Sequence, residues 1–155
     1  LSRDTFYMEA GEPMNGKPFT VRWNGLENVQ VRQCFQTSVS FTPGGSHHYD
    51  LRNFMHGYTA WEASTAKDSV YSMIKEPDPF PKQLPFPACS QGKLSAAVKG
   101  LAGPIYPNEI KKITTPYADP CKVVISAIII EITGTHKISK VKQKKIIVIE
   151  IPMGC

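Results

Sequence analysis

Apolar and polar positions alternate at a period of two over much of this chain, the spacing of half-buried strands. Phe19, Val21 and Trp23 face one way, Thr20 and Arg22 the other, and Asn24-Gly25, a dipeptide suited to a two-residue hairpin, follows. Val29 and Val31 carry the alternation to Cys34. Val39 and Phe41 resume it until Pro43-Gly44-Gly45 stops the strand. The strongest strand is CKVVISAIIIEI, from Cys121 to Ile132, with Thr133-Gly134-Thr135-His136 as its turn. KISKVKQKKIIVIEIPMGC supplies one or two more. Both faces of the strong strand are largely apolar: Val124, Ser126, Ile128, Ile130 and Ile132 on one, Val123, Ile125, Ala127, Ile129 and Glu131 on the other. That pattern implies a sandwich interior on one side and a cover or a partner on the other.

Helical spacing is rarer. WEASTAKDSVYSMIKEP places Ala66, Val70, Met73 and Ile74 on one helical face, with Thr65 and Asp68 as a variant capping box. This predicts a helix ending near Lys75, since the residue before Pro77 leaves the helical region. Residues 77–87, PDPFPKQLPFP, hold five prolines and read as a stiff internal loop. Leu94 to Leu101 is a short mixed segment, and Pro107-Asn108-Glu109-Ile110 a single helical turn with proline at its first position. SHHYDLRNFMHGYTAW has poor periodicity and reads as strand plus loop. No internal repeat is visible, so the 155 residues are expected to form one unit.

Composition narrows the class. Hydrophobic residues make up 41% and charged residues 20%, a globular balance with enough chain for a real core. The formal charge is +5, much of it from Lys137, Lys140, Lys142, Lys144 and Lys145, which flank the sticky C-terminal segments. Their simplest role is to solvate the hairpin and keep strand edges from pairing with other chains; an acidic partner surface is the alternative. The basic balance comes without a helix-turn-helix, zinc-finger or RNP-type signature, so no nucleic-acid partner is expected. No apolar run approaches the roughly 18–20 residues of a membrane span, so no membrane insertion by this segment is expected. The N-terminus lacks the apolar region of a signal peptide, so a secreted form would carry its signal upstream.

No motif for catalysis stands out. There is no Gly-x-Ser-x-Gly elbow, His-Glu-x-x-His, phosphate-binding glycine loop or calcium loop. His47 and His48 are adjacent and would point to opposite faces of a strand, so they make a poor joint metal site. Gly45-Ser46-His47 sets a hydroxyl beside an imidazole, but sequence neighbours rarely reach triad geometry. The chain reads as a non-enzyme without cofactor or metal. Tyr49, Phe54, Tyr58 and Trp61, with His56 among them, form an aromatic cluster that suits either core packing or a partner-binding hot spot.

Four cysteines stand at 34, 89, 121 and 155 with no Cys-x-x-Cys spacing, which suits two disulfides in an oxidising compartment. Three connectivities are possible. The strand map favours Cys34–Cys155, tying the last strand to the start of the first core strand, with Cys89–Cys121 closing an inner loop. Each bridge would be worth roughly 3–5 kcal/mol on the chain-entropy model.

A first-to-fourth and second-to-third pairing between strand-borne cysteines resembles the N-terminal half of a zona pellucida module (ZP-N). More narrowly, VRWNGL, QCFQTSVSFTPGG and the run from HGYTAWEASTAKDSVYSMIKEP through ACSQGKLSAAVKGLAGPIYPNEIKKIT resemble the repeats of the abalone egg vitelline envelope receptor for lysin. The resemblance covers essentially the whole chain. It implies an all-β, immunoglobulin-like ZP-N sandwich with one short helix and two nested disulfides, spanning 34–155 behind an N-terminal extension of 1–33. It also implies an extracellular, structural egg-coat repeat, arrayed in a long glycoprotein. Such a repeat binds sperm lysin non-enzymatically in species-selective gamete recognition and associates with other copies of itself into filaments. Lysin is itself basic, so long-range charge would not steer it to a chain of +5, and contact would rest on apolar complementarity or on acidic sugars. The extra N-terminal residues and the long insertion between Cys34 and Cys89 depart from the module pattern. Two other readings are a secreted protease inhibitor presenting Lys82 on the proline-rich 77–87 loop, and a sandwich carrying a small apolar ligand.

Overall fold

In a computed structural model of the chain, which describes residues 2–7, 15–45, 47–76 and 83–152, two sixteen-residue strands organise the architecture: β3 (Leu26–Phe41) and β8 (Cys121–His136). Around them come β1 (Ser2–Tyr7), β2 (Pro18–Thr20), β4 (Tyr49–Asp50), β5 (Gly57–Tyr58), β6 (Glu62–Ser64), β7 (Val70–Ser72), α1 (Gln91–Ala102), α2 (Pro107–Ile110) and β9 (Lys142–Glu150). The chain is mostly β, as its patterning predicts. The main sheet runs β1-β9-β8-β3-β4, with β5 and β6 also on β3; β2 and β7 pair separately and antiparallel.

The chain divides into two compact units interleaved in sequence. One takes its described residues from 1–35, 60–79 and 127–151, the other mainly from 36–59 and 80–126. Both β3 and β8 contribute to each. Within the first 33 residues, β1, β2 and the first half of β3 are strands of the first unit.

In the first unit, β8 and β9 pair antiparallel from Ala127↔Glu150 to Thr135↔Lys142. Alternation then sorts their side chains into two faces. On one, Cys34, Ala127, Ile129 and Val148 pack with Ile146 against them. On the other, Ile132 and Ile147 line a hollow with Phe19, Val21 and Trp23, and Phe19 stacks on Tyr71 of β7 at 5.5 Å. Every residue from Ser126 to Ile132 is buried. The chain itself therefore covers both apolar faces of its stickiest strand. On its far side β9 pairs parallel with β1 from Lys145 to Glu150, so that stretch is interior to the sheet.

In the second unit, Val39 and Phe41 of β3 and Cys121 and Val123 of β8 form a core with Leu51, Ile113 and the α1 stripe Leu94, Val98 and Ala102. Those helical positions recur every four residues, a single apolar stripe. Ser90 caps the helix, its Oγ accepting from Lys93 N–H at 3.3 Å. The stripe is only three residues wide and shares its helix with Gly92 and Gly100, which is why 94–101 read as mixed. The single turn at α2 starts on Pro107, as expected.

Several expectations are corrected. Residues 61–75 are not a helix: β6 pairs with β3, β7 pairs with β2, and Lys67–Val70 is a tight turn with Asp68 and Ser69 at φ 52° and 65°. Strand partners elsewhere in the chain override a local helical spacing. Asn24-Gly25 is a turn, with Gly25 at φ +81°, but its flanks β2 and β3 do not pair; the Gly25 carbonyl instead accepts from Lys137 N–H at 2.8 Å. The turn after β8 comes at 137–139 rather than 133–136. Gly134 stays in the strand, where an added Cβ would stand 2.8 Å from Leu26 Cδ1. β3 is continuous, so Cys34 sits in mid-strand and not at a strand start. Its polar residues Gln33, Gln36, Thr37, Ser38 and Ser40 are buried, which breaks the alternation. Gln36 Nε2 donates to Ser126 Oγ at 3.3 Å, and that hydroxyl donates back to the Gln36 carbonyl.

Cys34, Cys89 and Cys121 carry free thiols here, so the Cys89–Cys121 bridge is not formed in this structure. Cys155, and with it the Cys34–Cys155 pairing, lies outside the described residues, as does the proline-rich segment 77–82 with Lys82.

Candidate adhesive surface

The four aromatic candidates fall in two places. In the second unit Tyr49 is half-buried, its ring 6.2 Å from Phe41 and 5.8 Å from Tyr106, and Phe54 packs on the same core. Both serve packing. Tyr58, on β5, is 51% exposed. In the first unit Trp61, at the entrance to β6, is 38% exposed. His56 does not join them as a functional group; its Nε2 donates to the Arg52 carbonyl. His47 and His48 are exposed, and His48 Nδ1 lies 3.2 Å from Thr42 Oγ1. Among the described residues no group of three or more His, Cys, Asp or Glu could hold a metal ion, and no helix is long and apolar enough to cross a membrane.

Trp61 does not stand alone. Its ring lies 4.7 Å from the Arg32 guanidinium, within cation–π range. Arg32 Nε in turn donates to Glu131 Oε1 at 2.5 Å, and Lys144 Nζ pairs with Oε2 of the same carboxylate. The topology explains the meeting. β6 runs antiparallel along β3, with Arg32 opposite Ala63 and Gln33 opposite Glu62, which brings Trp61 back beside Arg32. On the other side β8 is β3's neighbour and β9 is next, with Glu131 opposite Ile146 and Thr133 opposite Lys144.

Glu131 is nearly fully buried, its side chain 5% exposed, while the Arg32 and Lys144 side chains keep 48% and 42% exposure. A buried carboxylate is costly unless paired. Here the hydrogen bond from Arg32, then that from Lys144, outweigh desolvation and hold its pKa below the ordinary carboxylate value. The same bond pushes the Arg32 pKa up. The result is an aromatic ring seated on a guanidinium that a buried anion holds in place.

Beside it, Gln33 ties three segments together. Its Nε2 donates to Ser64 Oγ at 2.7 Å and to the Ser72 carbonyl at 2.8 Å, and its Oε1 accepts from Ile74 N–H at 3.1 Å. These bonds anchor the segment that presents Trp61. A hollow of about 380 Å³ lies here, lined by Gln33, Glu62, Ser64, Ser72, Met73 and Lys75 among others.

Sequence reasoning singled out Trp61 but not Arg32 or Glu131, and named Lys144 only as one of five lysines flanking the sticky strands. The signal was present in one residue. Glu131 is the only carboxylate in the run from Val123 to Ile132, and a lone buried anion demands a cation. Which cations answer it could not be read, because Arg32 lies 99 residues away. Of the flanking lysines, Lys144 neutralises Glu131, and Lys140 donates to Glu27 Oε1 at 2.7 Å. Lys140 and Lys144 therefore pair with carboxylates besides solvating the hairpin.

No family model, curated protein or solved structure matches the chain.

Proposed function

We propose that this chain is an extracellular, non-enzymatic structural repeat of an egg vitelline envelope, which binds sperm lysin and associates with other copies of the same repeat. The sequence resemblance described above motivates the reading. The observation that carries it is the exposed Trp61 ring held on Arg32. Trp and Arg dominate binding energy at protein interfaces, and a pair already immobilised by Glu131 loses little freedom when a partner docks. Its chemistry suits a basic partner that long-range charge would not attract: the ring supplies apolar contact. Self-association would use the outer side of β4 and β5, two short strands of the second unit with no described strand beyond them. The ZP-N sandwich and the nested bridges Cys34–Cys155 and Cys89–Cys121 belong to the same proposal. Cys89 packs on the core that contains Cys121, a neighbourhood compatible with the inner bridge.

The test is capture of purified sperm lysin on the immobilised chain at physiological salt. Retention that survives added salt, and that Trp61→Ala reduces about tenfold, is the expected result. A folded chain that retains no lysin removes the lysin partner. Inhibition of trypsin by the same preparation would transfer the function to the protease-inhibitor reading. A non-reducing peptide map showing a Cys34–Cys89 linkage would overturn the disulfide assignment.

A further inference from the structure

We infer that the lysine-bearing end of the β3–β8–β9 face is a binding site for an anionic polysaccharide, its sulfate or carboxylate groups held by Lys142 and Lys144 and its hydroxyls by the neighbouring amides and threonines. The inference is independent of the egg-coat reading. A hollow of about 470 Å³ opens there, lined by Asn28, Gln30, Thr133, Thr135, Lys142 and Lys144 together with Gly134 and Gln143. The strand register builds it. Thr133 pairs with Lys144 and Thr135 with Lys142, so each threonine hydroxyl shares a face with a lysine one strand away. Asn28, Gln30 and both lysines are exposed. The pairing of β1 with β9 begins at Lys145, so among the described residues no strand lies beyond 142–144.

The lining decides the ligand class. No apolar or aromatic side chain contributes to it. A nucleic acid would want stacking platforms as well as charge, and a docked peptide would want apolar anchors. Amides and hydroxyls, each able to donate and accept, match the hydroxyls of a sugar ring. The lysines match its acidic substituents. The charge has the right sign: the whole chain carries +5, and of the two carboxylates that the β8–β9 register puts on this face, Glu131 is buried and already bound to Arg32 and Lys144, while Glu150 stands at the opposite end of β9 from Lys142.

The probe is dextran sulfate, titrated onto the folded full chain at physiological salt, with uncharged dextran and polyglutamate as comparisons. The expected result is binding of dextran sulfate, none of dextran, and about tenfold weaker binding of polyglutamate. Lys142→Glu should weaken dextran sulfate about tenfold, whereas Lys122→Glu, the same charge change on an exposed lysine outside the hollow, should weaken it less than about twofold. The double substitution Gln30→Ala with Thr133→Val leaves the charge intact and should cost about threefold through lost sugar contacts. Far-ultraviolet circular dichroism confirms that each variant is folded. Equal losses from Lys142→Glu and Lys122→Glu, an unchanged Gln30/Thr133 variant, or no binding by the folded parent would each overturn the site. Polyglutamate binding as tightly as dextran sulfate would overturn the sugar and reassign the hollow to acidic peptides.

Discussion

Arg32 Nε donates to Glu131 Oε1 across 2.5 Å, joining two strands whose paired residues lie 99 positions apart. The geometry is asymmetric: the carboxylate is buried and the guanidinium half-exposed. Replacing Glu131 by Gln leaves two cations that water can still reach. We expect a loss of about 1–2 kcal/mol, below the roughly 3–5 kcal/mol of breaking a fully buried pair. Arg32→Met should destabilise more than Glu131→Gln, because it leaves the anion buried with one partner. Urea midpoints of the two variants check the order.

The same carboxylate makes the fold acid-sensitive. Its folded pKa lies below the ordinary value of 4.5, so its contribution is complete above that pH and is lost as pH falls through the folded value. Stability measured from neutral pH downward should therefore decline below about pH 4.5. The decline should be shallower in Glu131→Gln, which has no carboxylate to protonate.

Gln33 is buried and satisfies three partners with one amide. Gln33→Leu keeps the volume but leaves the Ile74 N–H and the Ser64 and Ser72 oxygens without it. An expected cost of about 1–2 kcal/mol follows from stranding the buried Ile74 N–H, since Ser72 is exposed and Ser64 half-buried. Faster amide exchange at Ile74 would localise the effect to the segment after β7.

Gly57 is boxed in. A Cβ there would stand 2.2 Å from the Pro85 carbonyl oxygen, 2.5 Å from Thr37 Oγ1 and 2.8 Å from Phe86 Cα. Two of the three are backbone atoms that a rotamer change cannot move. Thr37 of β3, opposite Gly57, also donates its Oγ1 hydrogen to the Pro85 carbonyl at 2.5 Å, which bonds Pro85 to the strand that β5 pairs with. Gly57→Ala should cost about 1–3 kcal/mol by overpacking, read as a lower urea midpoint.

The cysteines offer a test of redox state. Burial pushes the Cys34 thiol up to about 11 and the Cys121 thiol up to about 12, from an ordinary 9.0. Unfolded thiols ionise first, so their contribution is intact below pH 9 and falls as pH rises through the folded values. A reduced chain should lose stability between about pH 9 and pH 11 more steeply than an oxidised one. A chain whose cysteines are bridged has no thiol to titrate, so an identical slope before and after dithiothreitol would show that these thiols do not set it.

The sequence by itself determined the class, the strongest strand and the short turn at Pro107, because β-branched runs and proline act locally and need no distant partner. It also placed Glu131 on an apolar strand face, without naming its partners. Only the tertiary structure decided the rest. Residues 61–75 have helical spacing, yet β3 and β2 offer strand partners that outbid it. Cys34 looked like a strand start because buried polar residues, satisfied sideways by Ser126 and the 85/86 segment, hid a continuous sixteen-residue strand. The α1 stripe was too narrow to register until a core stood against it. Trp61 could be named from its type, but not the Arg32–Glu131–Lys144 support behind it. Pairing across three strands depends on register, and register is set by contacts that a one-dimensional pattern does not contain.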